Sequence, residues 1–210
     1  MKIGEIKLST LMLTVPSLEI SFDSDSEDSV RETIMNLKEN PSVSDYIPLL
    51  PHAINRAISI IERRGGGKSK RIRVESSILE KTSNGYRLSL DKIDEDILYV
   101  NKITFNGREC AFERESENAV LLYSSRVGEY EIFYKSKIAR ISEATGDLFE
   151  LEIDTALSEI IPYFVKSELI VGEEPEEAHR AKEHFFELLG EFLDKKRDNS
   201  VKFETVFFLE

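Results

Sequence analysis

The apolar side chains of this 210-residue chain change period twice, and that switch constrains its fold more than any other feature. Helical spacing governs Val30–Arg64, a period of two governs Arg71–Tyr134, and helical spacing returns after Gly146. Asn84-Gly85 and Asn106-Gly107 each separate two alternating runs, the local signature of a hairpin turn. Six short strands are predicted, over residues 71–79, 86–90, 97–105, 108–112, 119–123 and 130–134. Lying between helical stretches, they read as an antiparallel β sandwich or barrel inserted into one helical bundle, an α+β chain. The expected division is a discontinuous helical domain of residues 1–70 and 137–199, a β domain of 71–136, and a strand-like tail of 200–210.

The first twenty residues fit helix and strand equally. Ser24, Asp25 and Ser26 offer cap oxygens for a short helix whose inner face is Val30, Ile34 and Leu37, ended by Asn40-Pro41. A stronger helix is predicted over Ser44–Arg64. Its stripe is Tyr46, Leu49, Leu50, Ala53, Ile54, Ala57, Ile58 and Ile61, with Pro51 bending the early turns. Gly65-Gly66-Gly67 ends it. Later, Ile153, Leu157, Ile160, Ile161, Phe164 and Val165 form a stripe with a kink at Pro162. Glu173-Glu174-Pro175-Glu176-Glu177 opens a last helix with carboxylates at its positive end, and Lys195-Lys196-Arg197 suit its negative end. The short connection makes these two helices antiparallel neighbours.

Composition narrows the function. One cysteine, Cys110, excludes an internal disulfide framework and a thiolate metal cluster, and Cys110 reads as a small buried hydrophobe. His179 and His184 are five residues apart, which does not align them for a shared metal. Gly65-Gly66-Gly67-Lys68-Ser69 resembles part of a phosphate-binding loop, but Glu62 stands where the first glycine is required and a helix precedes the loop. The acid pairs among Asp94-Glu95-Asp96, Glu173-Glu174 and Glu176-Glu177 read as solvated surface, with a carboxylate hydrolase only a remote reading. No nucleophile, cofactor or metal motif emerges, and the chain reads as a non-enzyme. No apolar run spans a bilayer and the first residues lack a signal-peptide layout, so a cytosolic, unprocessed chain is expected.

The net charge is −12, and residues 137–210 carry 18 acidic against 9 basic side chains. Such a field disfavours wrapping nucleic acid but suits DNA that passes without adhering. One stretch reverses the sign. Arg63, Arg64, Lys68, Lys70, Arg71 and Arg73 read as a flexible basic loop for an acidic partner or passing DNA, or as a merely solvated one. The tail is the other conspicuous feature. Val201, Phe203, Val206, Phe207, Phe208 and Leu209 demand burial, either as an added strand on the chain's own sheet or on a partner.

Asp45-Tyr46-Ile47-Pro48-Leu49-Leu50 with Ala53–Ile58, and Ile160–Leu169 followed by Glu173–Ala178 and Phe185-Phe186, resemble the early helix and closing hairpin of small head-to-tail adaptor (connector) proteins of tailed bacteriophages. That resemblance implies a ring, typically of twelve copies, docked beneath the portal protein and above further neck and tail proteins. It also implies location in the virion after synthesis in the host bacterial cytoplasm, with no membrane association. Tail-completion or baseplate roles are alternatives. So is a sheet that binds carbohydrate or peptide through Tyr86, Tyr99, Tyr123, Tyr130 and Tyr134, if these are exposed.

Overall fold

The computed structural model describes residues 1–20 and 26–205, with the backbone alone for residues 27 and 195–205. It divides the chain into two compact units, Met1–Gly66 with Ile138–Glu210, and Gly67–Lys137. The insertion therefore starts four residues earlier than the alternation announces, because Lys68 already pairs with Ser136.

The helical unit contains α1 (Ile3–Thr14), α2 (Glu27–Leu37), α3 (Leu50–Arg63), α4 (Thr155–Ile170) and α5 (Pro175–Thr205). The ambiguous first segment is helix α1. Its Ile3, Ile6, Leu8 and Leu11 are all buried, so no single stripe betrayed it. Gly4 is pressed against Val30 and the carbonyl of Asp147, where a Cβ would fall 2.4 and 3.0 Å from their atoms. Its N–H donates to that carbonyl at 2.7 Å. Ser26 caps α2 by accepting the Ser29 N–H, whereas Ser24 and Asp25 lie outside the described residues.

A 3₁₀ turn over Ile47–Leu49 precedes α3, which places Pro51 in the first helical turn and leaves nothing for it to bend. Leu49, predicted on the buried stripe, is 52% exposed because it belongs to that turn. At the far end Gly65 takes φ 90° and accepts no side chain comfortably. The Gly65 and Gly66 N–H groups then bond back to the carbonyls of Glu62 and Ile61. α4 packs against α1, α3 and α5, and Phe164 and Phe185 meet at its interface with α5.

The sheet unit holds eight strands rather than six: β1 (Lys68–Glu75), β2 (Glu80–Lys81), β3 (Tyr86–Ser89), β4 (Ile97–Phe105), β5 (Arg108–Glu109), β6 (Phe112–Ser116), β7 (Ala119–Leu122) and β8 (Glu129–Ser136). They form two open antiparallel sheets, ordered β1-β8-β4-β5 and β2-β3-β7-β6, and no barrel closes among the described residues. One cluster of buried side chains draws on both sheets, including Leu88, Ile103, Leu122 and Ile132. Asn106 and Gly107, both at positive φ, make the predicted two-residue turn between β4 and β5. Around Asn84-Gly85 the loop is longer, and the Thr82 N–H closes it on the Gly85 carbonyl.

Candidate interaction surfaces

The basic stretch is not a loop. Arg63 ends α3, Arg64 caps it, and only Gly65, Gly66 and Gly67 intervene before β1. Lys68, Lys70, Arg71 and Arg73 lie on β1, which pairs with β8 over its whole length because Ile72 and Val74 alternate inward. The two-unit division thus separates Arg63 and Arg64 from the other four. Arg64 stacks over the Phe186 ring at 5.6 Å, and Arg73 donates to Glu131 at 2.8 Å on the adjacent strand. β1 is also a sheet edge, where charged side chains discourage pairing with another chain. Arg64 and Arg73 thereby have structural roles.

The tail changes character too. Val201 and Phe203 lie within α5, which continues to Thr205 instead of giving way to a strand. A helix already nucleated extends at low cost, and this outweighs the β propensity of a few residues. Lys195, Lys196 and Arg197 are consequently interior to α5 and do not mark its end. Val206, Phe207, Phe208 and Leu209 lie outside the described residues.

The proposed tyrosine platform does not form as a set. Tyr130 and Tyr134 are 2% and 3% exposed, Tyr86 and Tyr99 are half-buried, and Tyr123 alone of the five is open, at 58%. The Tyr134 hydroxyl donates to Asp94 at 2.5 Å. Burial first, and then that bond, push the Tyr134 phenol up to about 12. The same hydroxyl, with the Asp96 N–H behind it, holds the Asp94 carboxyl below its ordinary range. Cys110 is half-buried, not fully enclosed, and burial pushes its thiol up, away from reactivity.

No protein-family model and no curated protein matches this chain.

Two features escaped the sequence reading, both in the helical unit. The first is a latch on the returning chain. Asn55 on α3 donates to the Ile141 carbonyl at 2.7 Å and accepts the Ile141 N–H at 2.9 Å. Two turns along, Glu62, 8% exposed, accepts the Ile138 N–H at 2.8 Å and an Arg140 N–H at 2.5 Å. Glu62, which spoils the phosphate-loop pattern, thus serves the fold.

The second is a cleft of about 480 Å³. Ile34, Ile47, Pro48 and Pro51 supply its apolar lining, and Lys7, Lys38, Glu143 and Asp147 its charges. Lys7 is bonded to Asp147 at 2.7 Å. Met35 and Leu49, next to Ile34 and Pro48 in sequence, are exposed large hydrophobics. The acid run Glu173–Glu177 is elsewhere, around the α4–α5 turn. There Glu173 receives the Tyr46 hydroxyl at 2.9 Å and Glu177 pairs with Lys166 at 2.8 Å. Lys166 accordingly holds the Glu177 carboxyl below its usual range. Among the described residues no group of three or more His, Cys, Asp or Glu is placed to hold a metal, and no helix is long and apolar enough to cross a membrane.

Proposed function

We propose that this chain is a non-enzymatic head-to-tail adaptor of a tailed phage, a helical bundle with an inserted β sandwich that works by assembling into a ring beneath the portal. The observation that carries the reading is the length of α5. It has 31 residues against 16 in its antiparallel partner α4, so it runs about 22 Å beyond that partner. An apolar segment, Val206–Leu209, follows the overhang. A helix that runs past its antiparallel partner, in a chain whose next residues are apolar, is suited to finding support on a neighbouring molecule.

Three further observations support the reading. The resemblance of Asp45–Leu50 with Ala53–Ile58, and of Ile160–Leu169 with Glu173–Ala178 and Phe185-Phe186, falls on α3 with the turn before it and on the α4–α5 hairpin, which contribute to the helical core. One buried cluster serving both sheets favours a sandwich for the insertion. The acid excess of the last third suits a channel wall from which DNA slides freely.

The test is assembly. Twelve copies of a 24.1 kDa chain come to about 289 kDa, readily separated from monomer by multi-angle light scattering and visible by negative-stain microscopy. Rings are expected, alone or on added portal rings. A chain that stays monomeric in both conditions refutes the proposal.

A further inference from the structure

We infer that the cleft between α2 and the start of α3 receives the segment Val206–Glu210 of a second copy of this chain. The inference rests on the ring-assembly reading and supplies the contact that would close the ring.

The cleft fits such an occupant. Its volume, about 480 Å³, suits a few large side chains, and Ile34, Ile47, Pro48 and Pro51 offer them apolar walls. Val206-Phe207-Phe208-Leu209-Glu210 brings four hydrophobes and one acid. Lys38, exposed on the lining, is an opposite charge for Glu210.

Geometry selects a second copy over the chain's own tail. The Tyr46–Glu173 bond ties the start of α5 to the start of α3, where Ile47, Pro48 and Pro51 lie. Arg64 over Phe186 ties the end of α3 to a point a little over a third of the way along α5. The two helices therefore run the same way, and α5 travels away from the cleft. From Pro175 to Thr205 it covers about 45 Å. The five residues that follow span at most about 18 Å when fully extended. They cannot return to their own cleft. A tail on one face and its receptor on another make a heterologous contact, the kind that builds rings.

The experiment uses a chain lacking residues 206–210 as receptor and a fluorescent peptide of residues 195–210 as probe, read by anisotropy. Saturable binding is expected. Ile47→Asp should weaken it at least tenfold, and Lys38→Glu several-fold, with recovery when the peptide carries Glu210→Lys. Circular dichroism checks that Ile47→Asp folds, and Lys38→Glu, at an exposed position, serves if it does not. No binding, or equal binding to receptor and both variants, overturns the inference. Full-length cleft variants separate it from the broader reading. If they form rings as the parent does, the docking is wrong and the ring stands. If the parent forms no ring while the peptide still saturates the cleft, the docking stands and the ring reading falls.

Discussion

Replacing Asn55 by alanine should release the segment on which the chain returns to its helical unit. Ile141 is 4% exposed, and both of its backbone polar groups bond to the Asn55 side chain. Alanine leaves a buried N–H and a buried C=O unpaired, at about 1–3 kcal/mol each. Some water will reach them, so a loss of about 2–4 kcal/mol is expected, a large share of a typical domain's stability. In urea that is a midpoint shift on the order of 1 M. Asn55→Asp should do no better than alanine, because a carboxylate keeps the acceptor and sets a second oxygen against the Ile141 carbonyl. Glu62→Ala removes the acceptor for the Ile138 N–H and the partner of Arg140, a loss of about 1–3 kcal/mol. Asn55 and Glu62 hold one four-residue stretch, so the double variant should lose less than the two singles together. The chain has no tryptophan, so ellipticity at 222 nm is the natural probe, and it reports chiefly the helical unit. An Asn55→Ala change below about 0.5 kcal/mol, or strict additivity with Glu62→Ala, would refute the latch.

Gly4→Ala should destabilise by about 1–3 kcal/mol through overpacking against Val30 and the Asp147 carbonyl, seen as a lower thermal midpoint; an unchanged midpoint counts against that contact. Ser26→Ala should cost about 1 kcal/mol of stability by removing the α2 cap, measured by urea unfolding at 222 nm. Tyr134 stays protonated in the folded state to higher pH than in the unfolded chain. Its contribution is therefore full below pH 10 and lost as pH rises towards about 12. The stability gap between the parent and Tyr134→Phe should accordingly shrink across that window in melts by circular dichroism, and a constant gap would refute it. Asp94 acts on the opposite limb, its contribution falling away as acid protonates a carboxylate that Tyr134 and the Asp96 N–H hold ionised.

What the sequence disclosed was local. Alternation at Ile72 and Val74 and the Asn106-Gly107 turn announce strands because the information lies within a few residues. α1 carried no such message, since Ile3, Ile6, Leu8 and Leu11 are buried on more than one face. β6 went unseen because it is an edge strand bearing Glu113, Arg114 and Glu115, and edges tolerate charge. Six cations around three glycines read as a flexible basic loop, yet the glycines make only the turn from α3 into β1 and four of the cations lie on that strand. The latch is set by Asn55 and Glu62 with partners 86 and 76 residues away, a separation no local pattern spans. The cleft likewise assembles from α1, α2, the start of α3 and the Glu143–Asp147 stretch, and only folding brings them together.

The sheet unit opens and shuts on neighbouring strands, with Lys68 facing Ser136 across the β1–β8 ladder. A segment whose two ends already sit side by side can be cut out and bridged by a short linker with little loop-closure entropy. It can equally be exchanged for another module with the same spacing at its ends. Asn55 and Glu62 lie outside this seam and hold Ile138–Ile141 without help from any strand. The helical unit is in that sense a socket, able to keep its own core closed while whatever is plugged into it changes.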